Sequence, residues 1–501
     1  MDIMDFMSFF IMFFGHLQIV SSPTTAASCK GCKKASTGPK PFPVIGNLLD
    51  VVGNQPHKSL ANLAKTHGPL MTLKLGQITT VVVSSSTMAK QILQNHDLYF
   101  SNRYTRDAIR ALNQDQFSVI WLPVVTRWRN LRKILNLYML STERLGANQP
   151  IRCQKVEELI AYVRQSCQAS VSVDIGQAAF RTMINLTSKT IFSVDLADPS
   201  SDTAQELKEL FWRIMEELGK PNLADYFPVL RKLDPQGIRR RTTIHFAKVF
   251  DLFDRMIDQR LELLRSDDCC TGNDLLDSLL NISQNNSDEI DQNQIKRMLM
   301  DVFIAATDTT SSTLEWAMTE LLRNPETLLK AKAELQQIVG KGKLVEELDI
   351  ARLPYLQAIV KETFRLHTTV PFLIPRQVDE DVEVCGFTVP KGAQVLVNAW
   401  AIGHDPSIWP KPDSFMPERF LESEVDVRGL DFELIPFGGG RRICPGSALA
   451  LRMLHLMLGS LINSFDWRLE DGIAPNDMDM EEKFGLSLQK ARPLLFAPVH
   501  I

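Results

Sequence analysis

A glycine-rich segment near the C-terminus, "PFGGGRRICPG" from Pro436 to Gly446, surrounds one cysteine in a way that could support chemistry. Pro445 suits the first turn of a helix, where no backbone N–H donor is needed. Cys444 is therefore predicted at a helix N-terminus, where the dipole and free amides favour a negative sulfur. Gly438 to Gly440 let the backbone approach a flat group, and Arg442 adds positive charge. Such a thiolate is an iron ligand or a nucleophile needing a histidine partner; the simplest alternative is a buried cysteine in a glycine turn.

A second chemical feature is a polar stretch, "IAATDTTSST" from Ile304 to Thr313, inside a helix predicted over residues 293–323. Threonine and serine compete with the helical backbone and are poor choices for a helix interior. Because both flanks are apolar, the sequence predicts a polar patch within a core helix. One stripe of this helix consists of the small or short residues Val302, Ala305, Ala306, Thr309 and Thr313.

Two further helical patterns bring charged groups together. Glu362 and Arg365 lie three residues apart, so they share a helix face and can pair. In "RWRNLRK", Trp128 and Arg132 are four residues apart and also face one way. Each pattern alone is more often an ordinary surface pair than part of a site.

Composition excludes several classes of function. A net charge of -4 and a pI near 6.2 argue against general nucleic-acid binding. Eight cysteines in 501 residues are too few for a disulfide-dense scaffold. Cys29 and Cys32 form a C-x-x-C with no second pair at zinc spacing. The sequence contains neither a G-x-G-x-x-G after a strand nor a P-loop, so nothing in it suggests that this chain binds a nucleotide.

The N-terminus predicts attachment to a membrane. Residues 3–20 are mostly apolar and form a marginal span, with lysines only on their C-terminal side. The positive-inside tendency would leave the bulk of the chain cytosolic. The alternative is a cleaved signal peptide, although the usual basic residue at its start is missing. We therefore expect an anchor and linker over residues 1–38 and one domain over residues 39–501.

The remaining pattern predicts a mainly α-helical domain with a small β part. Two short β-rich runs, "LMTLKLG" and "TTVVVSS", read as a hairpin, and helical spacing then dominates from about Ser85 to His367. A second β-rich region is expected over residues 372–397, and a last helix from Ser447 to Phe465. Arg239, Arg240 and Arg241 begin a predicted helix, where positive charge is disfavoured, so we expect contact with anionic lipid headgroups or plain solvation.

The spacing of Phe437, Gly440, Arg442, Cys444 and Gly446 resembles the haem-ligand loop of the cytochrome P-450 family. Other motifs of that family follow in its order, and the resemblance extends from about residue 39 to the end. It implies a fold in which haem b lies between a long distal helix and a proximal loop. Cys444 would be the iron ligand, and Phe437 and Gly446 would contact the cofactor.

The resemblance also assigns roles to the other motifs. Glu362, Arg365 and Arg419 of "FMPERF" would form the buried network that supports the haem loop. Thr309 would hydrogen-bond at the site of oxygen activation, and Asp308 would help deliver protons. Ala306 departs from the glycine usual there, and its methyl group takes up space beside the reacting centre. Residues that would contact the haem propionates are Trp128, Arg132, Arg376 and Arg442.

Among cytochromes P-450, stretches such as "TDTTSSTLEWAM" and "FELIPFGGGRRICPG" resemble plant microsomal terpenoid hydroxylases of the geraniol 8-hydroxylase type. This implies O2-dependent hydroxylation of a small apolar terpenoid, most simply a monoterpenol. Alternatives are a sesquiterpene or diterpene oxidase and a haem-thiolate isomerase or dehydratase that needs no reductase. Thr368 and Thr369 replace the usual prolines beside the substrate. By family position the substrate-lining residues are Ile109, Phe117, Val119, Val302, Phe303, Ala306, Val370, Phe372, Phe484 and Leu486.

The resemblance finally implies partners and location. Electrons would come from NADPH through a separate NADPH–cytochrome P-450 reductase, an acidic donor that Arg129, Lys133 and Arg441 could dock. The chain would lie in the endoplasmic reticulum membrane, with its catalytic domain on the cytosolic face and touching the membrane surface.

Overall fold

The computed structural model describes residues 38–51, 53, 55–197, 203–265, 274–285, 290–469, 473–493 and 495–500. The predicted anchor and Cys29–Cys32 lie outside these residues. Within the described ranges, no helix is long and apolar enough to cross a membrane. The helices are α1 (Leu48–Val51), α2 (Pro56–His67), α3 (Ser86–Lys90), α4 (Thr126–Leu135), α5 (Thr142–Ala147), α6 (Gln149–Gln168), α7 (Ile175–Phe192), α8 (Thr203–Gly219), α9 (Leu223–Tyr226), α10 (Ile238–Arg265), α11 (Leu275–Asn285), α12 (Gln292–Arg323), α13 (Pro325–Ile338), α14 (Pro354–Leu366), α15 (Ala399–Gly403) and α16 (Ser447–Ser464).

The β part is small, as the sequence predicts. One mixed sheet has the order β1-β2-β8-β5-β3 and contains the predicted hairpin and part of the second β-rich region. A three-stranded sheet has the order β4-β12-β9, and β6–β7 and β10–β11 are hairpins. The strands are β1 (Leu70–Leu75), β2 (Ile78–Val83), β3 (Asn102–Arg103), β4 (Val173–Asp174), β5 (Arg376–Gln377), β6 (Val382–Val384), β7 (Phe387–Val389), β8 (Gln394–Val397), β9 (Phe465–Leu469), β10 (Glu482–Phe484), β11 (Leu488–Lys490) and β12 (Leu495–His500).

Helix α12 has well-defined ends because its flanking residues satisfy the terminal backbone groups. At its start, the Asp291 carboxylate accepts a hydrogen bond from the backbone N–H of Gln294 at 2.7 Å. The side-chain Oε1 of Gln294 accepts from the backbone N–H of Asp291 at 3.1 Å. This reciprocal arrangement is a capping box. At the other end, Pro325 begins α13 and prevents continuation of the helix. The predicted start at residue 293 is therefore correct to within one residue.

The polar centre of α12 stays helical because its hydroxyl groups bond within the helix. Thr307, Ser311, Thr313 and Thr319 each donate to the carbonyl oxygen four residues earlier, at 2.5 to 2.8 Å. These bonds let polar side chains be buried without leaving a donor unsatisfied.

Two apolar clusters meet along α12. Its N-terminal half contributes Val302 and Phe303 to a cluster with α7, α8, α10 and α11. Its C-terminal half contributes Leu314 and Met318 to a second cluster with α6, α14 and α16. The polar stretch lies between the two clusters, where one side of the helix faces a cavity. The two packed ends therefore fix the position of the residues that line this cavity.

Candidate active site

The loop before α16 holds Cys444 at the wall of a cavity of about 310 Å³. The Cys444 N–H donates to the Phe437 carbonyl at 3.0 Å, which closes the loop. Gly440 has a φ of +67°, and a Cβ there would come within 2.0 Å of the Leu93 carbonyl oxygen, so only glycine fits. Helix α16 begins at Ser447, which leaves Cys444 just before its N-terminus as the sequence predicts.

Opposing effects act on the Cys444 sulfur. Burial raises the pKa of the thiol, whereas amides of Gly446 and Ser447 and the charge of Arg132 lower it. Burial is the largest of these effects, so the loop alone does not stabilise a thiolate. A cation bound to the sulfur from the cavity side would supply the missing stabilisation.

One stripe of α12 forms the opposite wall. Val302, Ala305, Ala306, Thr309 and Thr313 all line the cavity, as the helical spacing predicts. Phe437 and Gly446 line it on the side of Cys444. The cavity thus separates a sulfur donor from a helix face of small side chains.

Three predicted arginines, Arg132, Arg376 and Arg442, reach the cavity edge. Arg442 Nε donates to the Ser101 carbonyl at 2.8 Å, and Arg132 Nη2 donates to the Ile443 carbonyl at 2.6 Å. Burial lowers the pKa of Arg442 to about 9 and that of Arg376 to about 10. The lowered pKa values show that the surrounding protein does not fully stabilise these buried guanidinium charges. This edge of the cavity therefore favours a bound anion.

Arg103 is a fourth arginine at this edge, and the sequence analysis missed it. It lies directly opposite Arg376 in the β3–β5 pair, and like charges in that position repel. Its Nε is buried and finds no hydrogen-bond partner among the described residues. Burial, followed by the charges of Arg376 and Arg442, lowers its pKa well below the usual range. Nothing local in "SNRYTR" marks Arg103, because the β3–β5 pairing brings it to the site.

Trp128 is not among the residues that line the cavity, and its contact with the cofactor stays a prediction. Its indole N–H donates to the Val119 carbonyl at 2.9 Å. Its ring lies 4.4 Å from the Arg442 guanidinium in a cation–π contact. Through this contact Trp128 helps to orient Arg442.

The buried network predicted from "ETFR" and "FMPERF" is present as a set of contacts. Glu362 accepts two hydrogen bonds from Arg365, at 2.7 and 2.8 Å, and one from Arg419 at 3.1 Å. Arg365 also donates to carbonyls of Gly403, Pro412 and Ser414. Glu362 and Arg365 are both fully buried, and their bonds fasten α14 to the chain that follows α15.

The neighbours Asp308 and Thr309 point in different directions. Thr309 lines the cavity and donates its hydroxyl hydrogen to the Ala305 carbonyl at 2.7 Å. The Asp308 carboxylate is outside the lining and accepts from Ser487 Oγ at 2.5 Å and from Gln489. Successive helical residues are about 100° apart, so their side chains leave α12 in different directions, and of these two only Thr309 lines the cavity. Burial raises the pKa of Asp308 to about 6, against the opposing effects of Ser487, Lys208 and Gln489.

Six of the ten side chains predicted to contact substrate line the cavity. They come from the segment before α4, from α12, from the chain after α14 and from the β10–β11 hairpin. These six residues are Ile109, Val119, Val302, Ala306, Val370 and Leu486.

The other four predicted substrate contacts are not among the residues that line the cavity, and they stay predictions; each aromatic ring has other packing partners. Phe117 lies between the guanidinium groups of Arg127 and Arg297, 4.6 Å from each. Phe303 is fully buried against other phenylalanines, 5.2 Å from the nearest ring. Phe372 and Phe484 contact each other edge to face, with ring centres 6.2 Å apart.

Four methionines that the sequence analysis did not single out complete much of the apolar lining. Met139, Met183, Met215 and Met300 come from four separate segments and meet around the cavity. Methionine spacing within each helix resembles ordinary core packing, so only the tertiary structure brings these side chains together.

A second polar cluster was also missed, at the end of the cavity nearer the N-terminus of α12. Asp301 accepts from Ser118 Oγ at 2.6 Å and from Gln114 Nε2 at 3.1 Å. Both Asp301 and Gln114 line the cavity. Burial raises the pKa of Asp301 to about 7, with Ser118 and Gln114 opposing. The cluster ties the segment before α4 to α12 and supplies polar groups in an otherwise apolar wall.

Comparison with known proteins agrees with this geometry. The family model described as Cytochrome P-450 matches residues 37–495. Geraniol 8-hydroxylase from Catharanthus roseus is 60% identical over 466 residues, covering 93% of this chain and 94% of that protein. Geraniol 8-hydroxylase from Swertia mussotii is 61% identical over 462 residues, covering 92% and 93%. Drimenol monooxygenase from Persicaria hydropiper is 51% identical over 484 residues, covering 96% of each chain.

The buried network predicts a large loss of stability on substitution. We expect Glu362→Gln to lower the free energy of unfolding by about 3–5 kcal/mol, because it leaves buried guanidinium charge uncompensated. Chemical denaturation measures this change. Arg428→Gln is the control, since its pair with Asp426 is solvent-exposed and worth at most about 1 kcal/mol. Equal losses in the two variants would contradict the prediction.

Proposed function

Since this chain belongs to the cytochrome P-450 family, we propose that it is a monooxygenase that hydroxylates a small apolar terpenoid alcohol, with geraniol the first candidate. The observation that carries the proposal is Cys444 facing the small-residue stripe of α12 across an apolar cavity. The balanced reaction consumes the substrate, O2, NADPH and one proton, and yields the hydroxylated substrate, water and NADP+.

The residues at the cavity edge fit haem b. A flat group carrying two carboxylates would relieve the repulsion between Arg103 and Arg376 and pair with Arg132 and Arg442. An iron ion at its centre would pair with the Cys444 sulfur. A haem bound to a thiolate supplies oxygen activation and favours O–O cleavage.

The protein's own contribution is to exclude water and to hold polar atoms at one wall. The Thr309 hydroxyl hydrogen is committed to Ala305, so its oxygen offers acceptor lone pairs toward the cavity. The Ala306 methyl lines the same cavity and takes up space in it. We propose that Thr309 orders hydrogen bonds at the reacting centre and that Asp308 exchanges protons with it.

The lining favours a terpenoid with one polar end. Most lining side chains are aliphatic or aromatic, with Gln114 and Asp301 as polar groups at one end. A hydroxyl group could bond there while the hydrocarbon chain extends toward Cys444. The relatives named geraniol 8-hydroxylase support a monoterpenol as the substrate. The relative named drimenol monooxygenase supports a larger terpenoid as the alternative substrate. A reductase-independent isomerase or dehydratase is the less favoured alternative.

We further propose that electrons arrive from NADPH through a separate reductase that docks on the side of Cys444. Arg129 and Lys133 are exposed on α4, and Arg441 is about half exposed beside the cysteine loop. An acidic partner would be steered to these charges. Arg441 also pairs with Asp97 at 3.1 Å, so only part of its charge is available.

For location, we propose the endoplasmic reticulum membrane, with residues 1–38 as anchor and linker and residues 39–501 on the cytosolic face. Exposed apolar side chains, Val229 at 76% and Leu233 at 73%, support contact with the membrane surface. The headgroup contact of residues 239–241 stays a prediction, and two of the three arginines have acidic partners within the protein. Arg239 pairs with Asp107, and Arg241 pairs with Glu217.

Turnover tests the proposed activity. The full chain, combined with a plant NADPH reductase, should convert geraniol or nerol to a singly oxygenated product detected by mass spectrometry. Cys444→Ala should abolish both product and carbon-monoxide absorbance of the reduced protein, because the iron ligand is lost. The control Cys385→Ala should retain both, since Cys385 is an exposed free cysteine. Oxidation of an abietane diterpene but of neither monoterpenol would favour the alternative, and no oxidation of any would reject the proposal.

Haem retention tests the guanidinium cradle. We expect Arg103→Met to speed haem transfer to apomyoglobin by roughly 10-fold or more, because a charge-assisted hydrogen bond is lost. The same variant should stabilise the haem-free protein, since it removes the repulsion from Arg376. Arg428→Met, at an exposed site, is the matched control for loss of one arginine. Unchanged transfer together with unchanged haem-free stability would rule out this role.

Glycosylation reports the side of the membrane. Asn281 and Asn285 are exposed sequon residues of α11, whereas Asn185 is buried and donates to the Ala197 carbonyl at 2.9 Å. We expect no change in gel mobility after endoglycosidase treatment of microsomes, and full digestion of the domain by protease added outside. Glycans on Asn281 or Asn285 would place the domain in the lumen and contradict the proposed orientation.

A further inference from the structure

The Asp308 carboxylate is hydrogen-bonded by residues of the β10–β11 hairpin. It does not line the cavity for which we propose that it supplies protons. The side chain is 2% exposed and accepts from Ser487 Oγ at 2.5 Å. Its other oxygen accepts from the Gln489 side-chain amide. Ser487 directly precedes β11 and Gln489 lies within it, and both side chains reach Asp308.

Between these side chains, the backbone of β11 is fastened to the same helix. The Leu488 N–H donates to the Thr369 carbonyl at 2.7 Å, and Ser312 Oγ donates to the Leu488 carbonyl at 3.0 Å. Thr369 in turn hydrogen-bonds Thr313 of α12 at 3.0 Å. The strand therefore has little freedom to move relative to Asp308.

The turn of the same hairpin reaches the cavity. Leu486 lines the cavity, and its N–H donates to the Met215 carbonyl of α8 at 2.9 Å. Ser487 follows Leu486 directly, so a lining residue and a partner of Asp308 share one peptide unit. A molecule that displaces Leu486 also acts on the hydrogen bond to Asp308.

The electrostatic surroundings of Asp308 contain few charges. Burial raises its pKa to about 6, and Ser487, Lys208 and Gln489 oppose that effect by stabilising the carboxylate. Lys208, on α8, is the charged group that acts on Asp308, and it faces Asp174 at 3.9 Å. Two neutral donors from the β10–β11 hairpin, Ser487 and Gln489, therefore contribute to stabilising the ionised form together with Lys208.

We propose that Ser487 and Gln489 are positioning residues that hold the Asp308 carboxyl outside the cavity and set the pH at which it takes up a proton. The inference deepens the proposed function, since it concerns the proton supply of the same site. Thr309 faces the cavity, and the hydrogen bonds from Ser487 and Gln489 control the protonation of Asp308, which lies outside it. Leu486 makes this control sensitive to occupancy of the cavity.

The experiment measures the protonation of Asp308 directly. In the haem-loaded full chain, infrared spectroscopy should show a carboxylic C=O band that disappears in Asp308→Asn. In Ser487→Ala and in Gln489→Met, we expect the pH midpoint of this band to rise by about one pH unit or more, because a hydrogen bond to the charged form is lost. Ser487→Thr keeps a hydroxyl and should restore the wild-type midpoint.

A second readout follows the reaction. In Ser487→Ala, the yield of product per NADPH should stay high up to a higher pH than in the wild type, because Asp308 stays protonated to higher pH. The matched control is Ser460→Ala, which removes another fully buried serine that accepts from the Val345 N–H at 3.1 Å. Its infrared midpoint and pH profile should equal those of the wild type.

The outcomes separate this inference from the proposed function. An unchanged midpoint in both β11 variants, in a protein that forms product, would overturn the positioning role. A shift in Ser460→Ala as large as that in Ser487→Ala would overturn it as well. A shifted midpoint in a protein that oxidises no terpenoid would instead support the role of β11 and reject the proposed activity.

Discussion

Two guanidinium groups face each other across the β3–β5 pair, and their repulsion constrains the whole site. Arg103 and Arg376 are paired in register, Arg376 and the Nε of Arg103 are buried, and Arg442 and Arg132 add charge to the same edge. Asp97 lies 3.6 Å from Arg376 and compensates part of this charge, and a bound anion would compensate more of it. The pairing of two very short strands therefore favours an anionic group at this edge of the cavity.

The other side of the cavity depends on packing rather than on charge. Helix α12 is fixed by apolar clusters at both ends, and its central hydroxyl groups are satisfied within the helix. The small side chains of its central stripe can therefore leave open space without weakening the helix. The network of Glu362 and Arg365 fixes the opposite wall in a comparable way, since it fastens α14 to the segment that leads toward the cysteine loop.

The sequence alone was sufficient wherever a function depends on local spacing. The surroundings of Cys444, the Glu362–Arg365 pair and the stripe of α12 follow from turn chemistry and from the helical period. Sequence failed where tertiary packing decides. Val302 and Phe303 are neighbours, and only the packing around α12 determines which of them faces the cavity. Arg103 became visible only through strand register, and Asp301 only through contact with residues about 185 positions earlier in the chain.

The role of Asp308 in proton delivery stays a prediction, and tertiary contacts decide where its carboxylate lies. Asp308 and Thr309 are consecutive residues of α12, and of the two only Thr309 lines the cavity. The structure adds the partners of Asp308, which come from β11 near the end of the chain. No local pattern predicts that pairing.

The four methionines of the lining carry a consequence for the evolution of this pocket. Methionine side chains are unbranched and can adopt several shapes at low cost, so they fill whatever space a ligand leaves. A substitution elsewhere in the wall can then be absorbed by side-chain rearrangement while the backbone stays in place. Substrate selectivity can therefore change by single substitutions in the cavity wall, while the protein at each step stays folded and able to bind haem.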